Sequence, residues 1–170
     1  MKGFTLRYEV QPRDVEDVRV LITKTGFFRA DEAAVAVELV SERLGRGAES
    51  GYYFVMAEVK EHLVGYVCYG PIPCTASSFD LYWIAVDPRF QGRGLGKALV
   101  RETEQRIREL GGERVYVETS SRVQYFSTRI FYERCGYSKA SVLDDFYGPG
   151  DGKVTYLKLL RVHGNARRHP

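Results

Sequence analysis

The sequence predicts an α/β domain (α+β by some schemes) with a mixed sheet flanked by helices, and three observations carry that reading. The 170 residues suffice for one domain with a real core and are too few for two comfortable ones. The 44% hydrophobic and 28% charged content are those of a soluble globular chain. Strand-like and helix-like periods alternate along the chain in the order β-α-α-β-β-β-α-β-α-β-β.

Leu6, Tyr8 and Val10 alternate as a first strand that ends at Pro12. Asp14 is placed to cap a helix carrying Val15, Val18, Leu21 and Ile22, which Gly26 stops. After a linker with Phe27, Phe28 and Arg29, a second helix starts at Asp31 and runs through Ala34, Val37 and Val40 to Leu44, followed by a loop over 45–51. Residues 52–59 and 63–69 flank Lys60, Glu61 and His62, which predicts an antiparallel hairpin. A loop over 71–78, rich in Pro, Ser and Thr, leads to a strand over 79–86 closed by Asp87-Pro88. Leu95, Leu99, Thr103, Ile107 and Leu110 recur at helical spacing until Gly111-Gly112. A strand over 114–119, a helix over 123–134 and strands over 137–143 and 154–160 complete the chain, with a loop through Tyr147, Gly148, Pro149, Gly150, Asp151 and Gly152.

Between the strand ending at Val86 and the helix starting near Leu95 stand Gln91, Gly92, Arg93, Gly94, Leu95 and Gly96. Glycines at a helix start let the backbone come close to a ligand, where free N–H groups and the positive end of the dipole favour phosphate. A P-loop is excluded because Gly96-Lys97 is followed by Ala98, not by a magnesium-binding Ser or Thr. The G-x-G-x-x-G dinucleotide fingerprint is not met, since its sixth position is Lys97 or Leu99 depending on the start.

The pattern that is met, Gln/Arg-x-x-Gly-x-Gly/Ala through Gln91, Gly94 and Gly96, resembles the acetyl-CoA motif of the GNAT superfamily of N-acetyltransferases. Ile130-Phe131-Tyr132-Glu133-Arg134-Cys135-Gly136-Tyr137 is similar to a second element of the same family, and order and spacing fit from Leu6 to about Leu160. The resemblance implies a mostly antiparallel mixed sheet, a single acetyltransferase domain over 1–160, and acetyl-CoA as co-substrate. It also implies cofactor contacts from Ile84, Ala85, Val86, Gln91, Gly92, Arg93, Gly94, Leu95, Gly96 and Lys97. Tyr125 stands where such proteins often carry a cofactor-contacting Asn, seven positions before the motif tyrosine.

Acetyl transfer to an amine needs a held cofactor, a polarised thioester, a base for the amine and a proton for the departing thiolate. Asp80 lies eleven residues before Gln91, at the spacing of a catalytic Glu in some GNAT enzymes. Its aromatic surroundings in the strand predict desolvation, which raises a carboxyl pKa. Glu118, followed by Thr119, Ser120 and Ser121, is the competing base, and a water held by either group is a third route. Tyr132 is the expected proton donor, on the argument that a phenol near 10 and a thiol near 8.5 exchange protons readily. Cys135 has no His nearby in sequence, so a covalent acetyl-cysteine route is not expected.

The net charge of +3 is supplied by Arg161, Arg167 and Arg168 within ten residues that contain no acid, so 161–170 reads as a disordered basic tail and the remainder balances at zero. There is no basic stripe for nucleic acid, no apolar run long enough to span a membrane, and no signal-peptide core. Cys68, Cys74 and Cys135 lack metal spacing and read as free thiols in a reducing cytoplasm, with no metal centre expected. Acidic Glu118, Asp144, Asp145 and Asp151, with aromatic Phe27, Phe28 and Tyr147, point to a small cationic or amino-acid-like amine acceptor entering between 25–31, 71–78 and 144–152. A protein N-terminus or lysine, or a non-catalytic acyl-CoA sensor, are the alternatives, with a degenerate nucleotide-binding module using Glu118 as its acidic residue third, and a homodimer is a further expectation.

Overall fold

The computed structural model describes residues 3–160, so the basic tail of the sequence reading lies outside the described residues. The elements are β1 (Thr5–Arg7), α1 (Asp14–Thr25), α2 (Ala30–Arg46), β2 (Tyr53–Val59), β3 (His62–Pro71), β4 (Ser78–Val86), α3 (Leu95–Glu109), β5 (Arg114–Ser120), α4 (Phe126–Arg134), β6 (Ser138–Gly148) and β7 (Asp151–Leu159). The strands hydrogen-bond in the order β1-β2-β3-β4-β5-β7-β6. β4 and β5 are parallel, and the pairs β1/β2, β2/β3, β5/β7 and β6/β7 are antiparallel. Contacts divide the chain into two compact units: residues up to Gly70 with Leu81–Thr103, and Pro71–Asp80 with the residues from Glu104 onward. β4 and α3 each begin in one unit and end in the other.

The first unit is built on amphipathic helices. α1 buries Val18, Leu21 and Ile22, and Gly26 ends it in the left-handed conformation, φ 62°, its N–H bonded to the Thr23 carbonyl. α2 buries Ala36, Val37 and Val40, and Glu32 accepts the Arg29 N–H at 2.8 Å. These stripes pack with Phe54, Met56, Tyr66, Cys68 and Ala85 from the strands. Gly65 lets α3 settle on β3, because a Cβ there would stand 3.1 Å from Leu99 Cδ1 and 3.2 Å from the Ala85 carbonyl.

Local differences from the sequence reading have physical causes. Asp14 opens α1 but does not cap it. Its fully buried carboxylate instead accepts both Arg7 guanidinium nitrogens at 2.8 Å and the Gln11 N–H at 2.6 Å, and β1 stops at Arg7 where this pair forms. The hairpin turn is two residues long, with Lys60 and Glu61 both at positive φ, so His62 pairs with Val59 in the ladder.

The second unit is the antiparallel ladder β5-β7-β6, joined by the start of β4 through Ser78↔Arg114, Phe79↔Val115 and Asp80↔Tyr116. One face of the ladder buries Val115, Val117, Val154 and Tyr156, in the unit that also buries Phe79, Ile107, Tyr132 and Tyr137. β6 reaches Gly148 and β7 starts at Asp151, so most of the expected 144–152 loop is hairpin, with Pro149 and Gly150 at its tip. Asp145 takes φ 54° and accepts the Gly150 N–H at 2.7 Å where the β6/β7 register is irregular.

Gly70 provides a test of the first unit, since a Cβ there would lie 2.1 Å from the Gly51 carbonyl and 3.1 Å from Tyr82. Gly70→Ala is expected to destabilise by about 1–3 kcal/mol, read from urea unfolding midpoints. An unchanged midpoint would mean that the Gly51 turn moves aside freely.

Candidate active site

The glycine turn follows β4 in the first unit, and buried Asp87 organises its entry. Asp87 accepts the Arg89 N–H at 3.0 Å and the Arg89 guanidinium at 3.0 and 2.8 Å, with the Lys24 ammonium at 3.5 Å. The Arg89 hydrogen bond is the main cause holding its carboxyl down to about 2. The Gln91 amide donates to the Val86 carbonyl at 3.0 Å, while Ile84 and Val86 are half-buried and Ala85 is buried. Gly92 and Gly94 take φ 71° and 83°, a conformation that side chains resist, and nothing lies within 4 Å of where a Cβ would stand on either. The Ala98 N–H to Gly94 carbonyl bond, 3.0 Å, is the first turn of α3, so the N–H groups of Leu95, Gly96 and Lys97 precede the helical ladder. Buried Leu95 and Leu99 anchor the helix, while Arg93, Lys97 and Arg101 are exposed and form no ion pair among the described residues. This arrangement suits a diphosphate.

The carboxylates belong to the second unit. Asp80 is in register with Tyr116 on the parallel neighbour, and Glu118 lies two residues further along β5, which puts all three on one face. Asp80 is half-buried, and its pKa is pushed up to about 6, first by desolvation and then by Glu118, against a lowering by Lys153. Glu118 is about half exposed and pairs with the Lys153 ammonium at 3.0 Å.

Tyr132 lies on the other face of the ladder. Its ring is 6.2 Å from Tyr156, 5.7 Å from Tyr137 and 5.4 Å from Phe131, and Tyr156 leaves β7 on the side opposite Thr155, the register partner of Glu118. Burial raises the Tyr132 phenol above its ordinary value. The comparison of free phenol with free thiol therefore does not carry over, because each added unit makes full proton transfer harder by about 1.4 kcal/mol. What the buried phenol keeps at every working pH is its proton, and with it a hydrogen-bond donor. Tyr125 is half-buried at the start of α4. The three cysteines are free: Cys68 is buried, Cys74 exposed and Cys135 half-buried.

Two residues escaped the sequence reading. Lys153 reaches Glu118 only through the β5/β7 register, and Asp87 looked like half of an ordinary Asp-Pro turn. A cleft of about 300 Å³ in the first unit, lined by Asp17, Leu21, Lys24, His62, Asp87 and Arg89 among others, includes none of the residues selected from sequence. Among the described residues, no helix is long and apolar enough to cross a membrane.

Asp80 yields a stability prediction. Its folded pKa exceeds the unfolded one, so the folded state binds the extra proton and stability falls as pH rises from about 4 through about 6. Asp80→Asn is expected to raise Tm by roughly 3 °C at pH 7.5 and to change it little at pH 4. A gain of equal size at both pH values would show that desolvation of the charge is not the cause.

Comparison with known proteins agrees with this geometry. Residues 17–137, well over half of the chain, match the model of the acetyltransferase (GNAT) family. The chain is 46% identical to a GNAT-family acetyltransferase structure from Desulfovibrio desulfuricans, covering 93% of this chain and 99% of that one with a TM-score of 0.91. It is 40% identical over 73 residues to mycothiol acetyltransferase of Propionibacterium freudenreichii, 41% of this chain and 22% of that protein. It is 30% identical over 73 residues to the bS18-alanine N-acetyltransferase of Escherichia coli strain K12, 43% of this chain and 48% of that one. The chain thus matches less than half the length of either of these two relatives. The aligned GNAT motif, the glycine turn and the mixed sheet agree, and the chain belongs to the GNAT family of acetyltransferases.

Proposed function

We propose that this chain transfers an acetyl group from acetyl-CoA to a primary amine of a small or amino-acid-like acceptor, by direct attack in a ternary complex. The observation that carries the reading is Asp80, a half-buried carboxyl with a pKa near 6, beside Glu118 on the partly open face of β5. Such a group is ionised at neutral pH and can accept the proton that the amine nitrogen sheds as its bond to the carbonyl carbon forms, directly or through an intervening water. The amine nitrogen attacks the thioester carbonyl, the C–S bond breaks, and the CoA thiolate leaves.

Each residue takes a part in this scheme. The N–H groups of Leu95, Gly96 and Lys97, with the cations of Arg93, Lys97 and Arg101, hold the diphosphate of acetyl-CoA. Backbone of Ile84, Ala85 and Val86 receives the acyl portion, Gln91 and Gly92 shape the turn, and Tyr125 flanks the cofactor. Tyr132 donates a hydrogen bond to the sulfur as charge develops on it, and the departing thiolate takes its proton from water. The acceptor approaches from the face bearing Asp80 and Glu118, and Asp144, Asp145 and exposed Tyr147 on β6 favour a cationic amine. A protein N-terminus is the second reading, favoured by the likeness to the enzyme named for bS18 alanine.

Three outcomes are expected. Gly94→Val should remove acetyl-CoA binding in calorimetry from a folded protein, because a β-branched residue resists φ 83° and shifts the turn that presents the helix amides. Unchanged affinity would overturn the diphosphate assignment. Tyr132→Phe should lower kcat by about 10²-fold with little change in KM for acetyl-CoA, whereas an intact kcat would leave Tyr132 as packing only. In wild type, kcat/KM for the amine should rise with pH through about 6, and Asp80→Asn should lose both activity and that limb. A near-normal Asp80→Asn beside a crippled Glu118→Gln would reverse the two roles.

A further inference from the structure

We propose that Lys153 is a positioning residue of this site: its ammonium, held between the Glu118 carboxylate and the Phe146 ring, fixes Glu118 and balances the negative charge of the Asp80–Glu118 pair. The inference rests on Asp80 serving as the base. Lys153 leaves β7 opposite Ser120, diagonal to Glu118 and on the same face of the ladder. Its Nζ stands 3.0 Å from Glu118 Oε1 and 4.1 Å from the centroid of the Phe146 ring, so carboxylate and aromatic face grip it together.

The burial pattern is inverted for a surface ion pair. The Lys153 side chain is 16% exposed, whereas Glu118 is 47% exposed. Lysine is among the residues least often withdrawn from water, and holding its long stem in one place opposes considerable rotamer entropy. The two-sided grip holds the charge beside Glu118 and makes the pair more than a casual surface contact.

Two charges act on Asp80, Glu118 from β5 and Lys153 from β7. β5 presents Arg114, Tyr116 and Glu118, and Arg114 is already engaged by Glu113 at 3.6 Å and Ser77 at 3.4 Å. β7 presents Lys153. β6 carries Asp144 and Asp145, the latter occupied with the Gly150 N–H. Glu118 makes proton loss from Asp80 harder and Lys153 makes it easier. Without the ammonium, Glu118 is both unpinned and uncompensated. A one-unit rise from about 6 would take Asp80 from roughly nine-tenths to roughly half ionised at pH 7.

The test compares Lys153→Met, which keeps the stem and removes the charge, with Lys153→Arg, which keeps the charge. Lys153→Gln is the alternative if the methionine variant does not fold. Two readouts are taken on the full chain: the pH titration of the Asp80 side-chain carboxyl by carbon NMR, and the acidic limb of kcat/KM for the amine. Lys153→Met is expected to move the Asp80 midpoint up by about one unit and the limb with it, and Lys153→Arg to restore both. An unmoved Asp80 midpoint in a folded Lys153→Met protein overturns the proposal, since a purely structural lysine leaves that titration alone. A midpoint that moves while the limb stays supports the charge balance by Lys153 and overturns Asp80 as the base.

Discussion

The parallel pairing of β4 with β5 is the constraint on which the site depends. It spans three residue pairs and ends at Asp80↔Tyr116, after which β4 continues into the other compact unit and β5 continues beside β7. A carboxylate at the last rung of a ladder is half withdrawn from water while its face stays accessible. That position explains a pKa near 6, because full burial would suppress ionisation and full exposure would leave ordinary acidity. The raised pKa also means that the charged form destabilises the fold, a strain of the kind that reactive sites retain.

The two faces of the second unit differ in character. The face with Val115, Val117 and Tyr156 is closed by aromatic packing around Tyr132, where a phenol remains protonated. The opposite face carries Asp80, Glu118 and Lys153, whose charges need solvent or one another. Period-two alternation along β5 and β7 is sufficient to separate an apolar side from a charged side. In the first unit the glycine turn follows a related logic, with Asp87 taking up the Arg89 and Lys24 charges at its entry while Arg93 and Lys97 remain unengaged among the described residues.

The order of elements was legible because the hydrophobic period changes clearly between strands and helices, as from 79–86 to the Leu95, Leu99, Ile107 series. The glycine turn was legible because its two positive-φ positions are glycines. The hairpin turn was legible to within one residue, His62, because Lys60 and Glu61 adopt the same conformation without Gly or Asn to mark the turn's exact length. The end of β6 was hidden by composition: Tyr147-Gly148-Pro149-Gly150 reads as loop, although only Pro149 and Gly150 lie between the strands. Asp80, Glu118 and Tyr132 could be nominated from spacing and motif, but not their environments. The Tyr132 acidity depends on burial and the Glu118 partner on a β5/β7 register 35 residues apart in sequence, which no local pattern encodes.

The central claim is that this chain passes an acetyl group from CoA to an amine. Its most direct measurement is the release of free CoA thiol from acetyl-CoA across a panel of primary amines, amino acids and peptide N-termini, with mass detection of the acylated product. Thiol release is expected to require an amine, with one acetyl group gained per thiol freed and a preference for cationic acceptors. Tight acetyl-CoA binding without acetylated product from any acceptor would contradict it and identify the chain as a binding protein on an acetyltransferase fold.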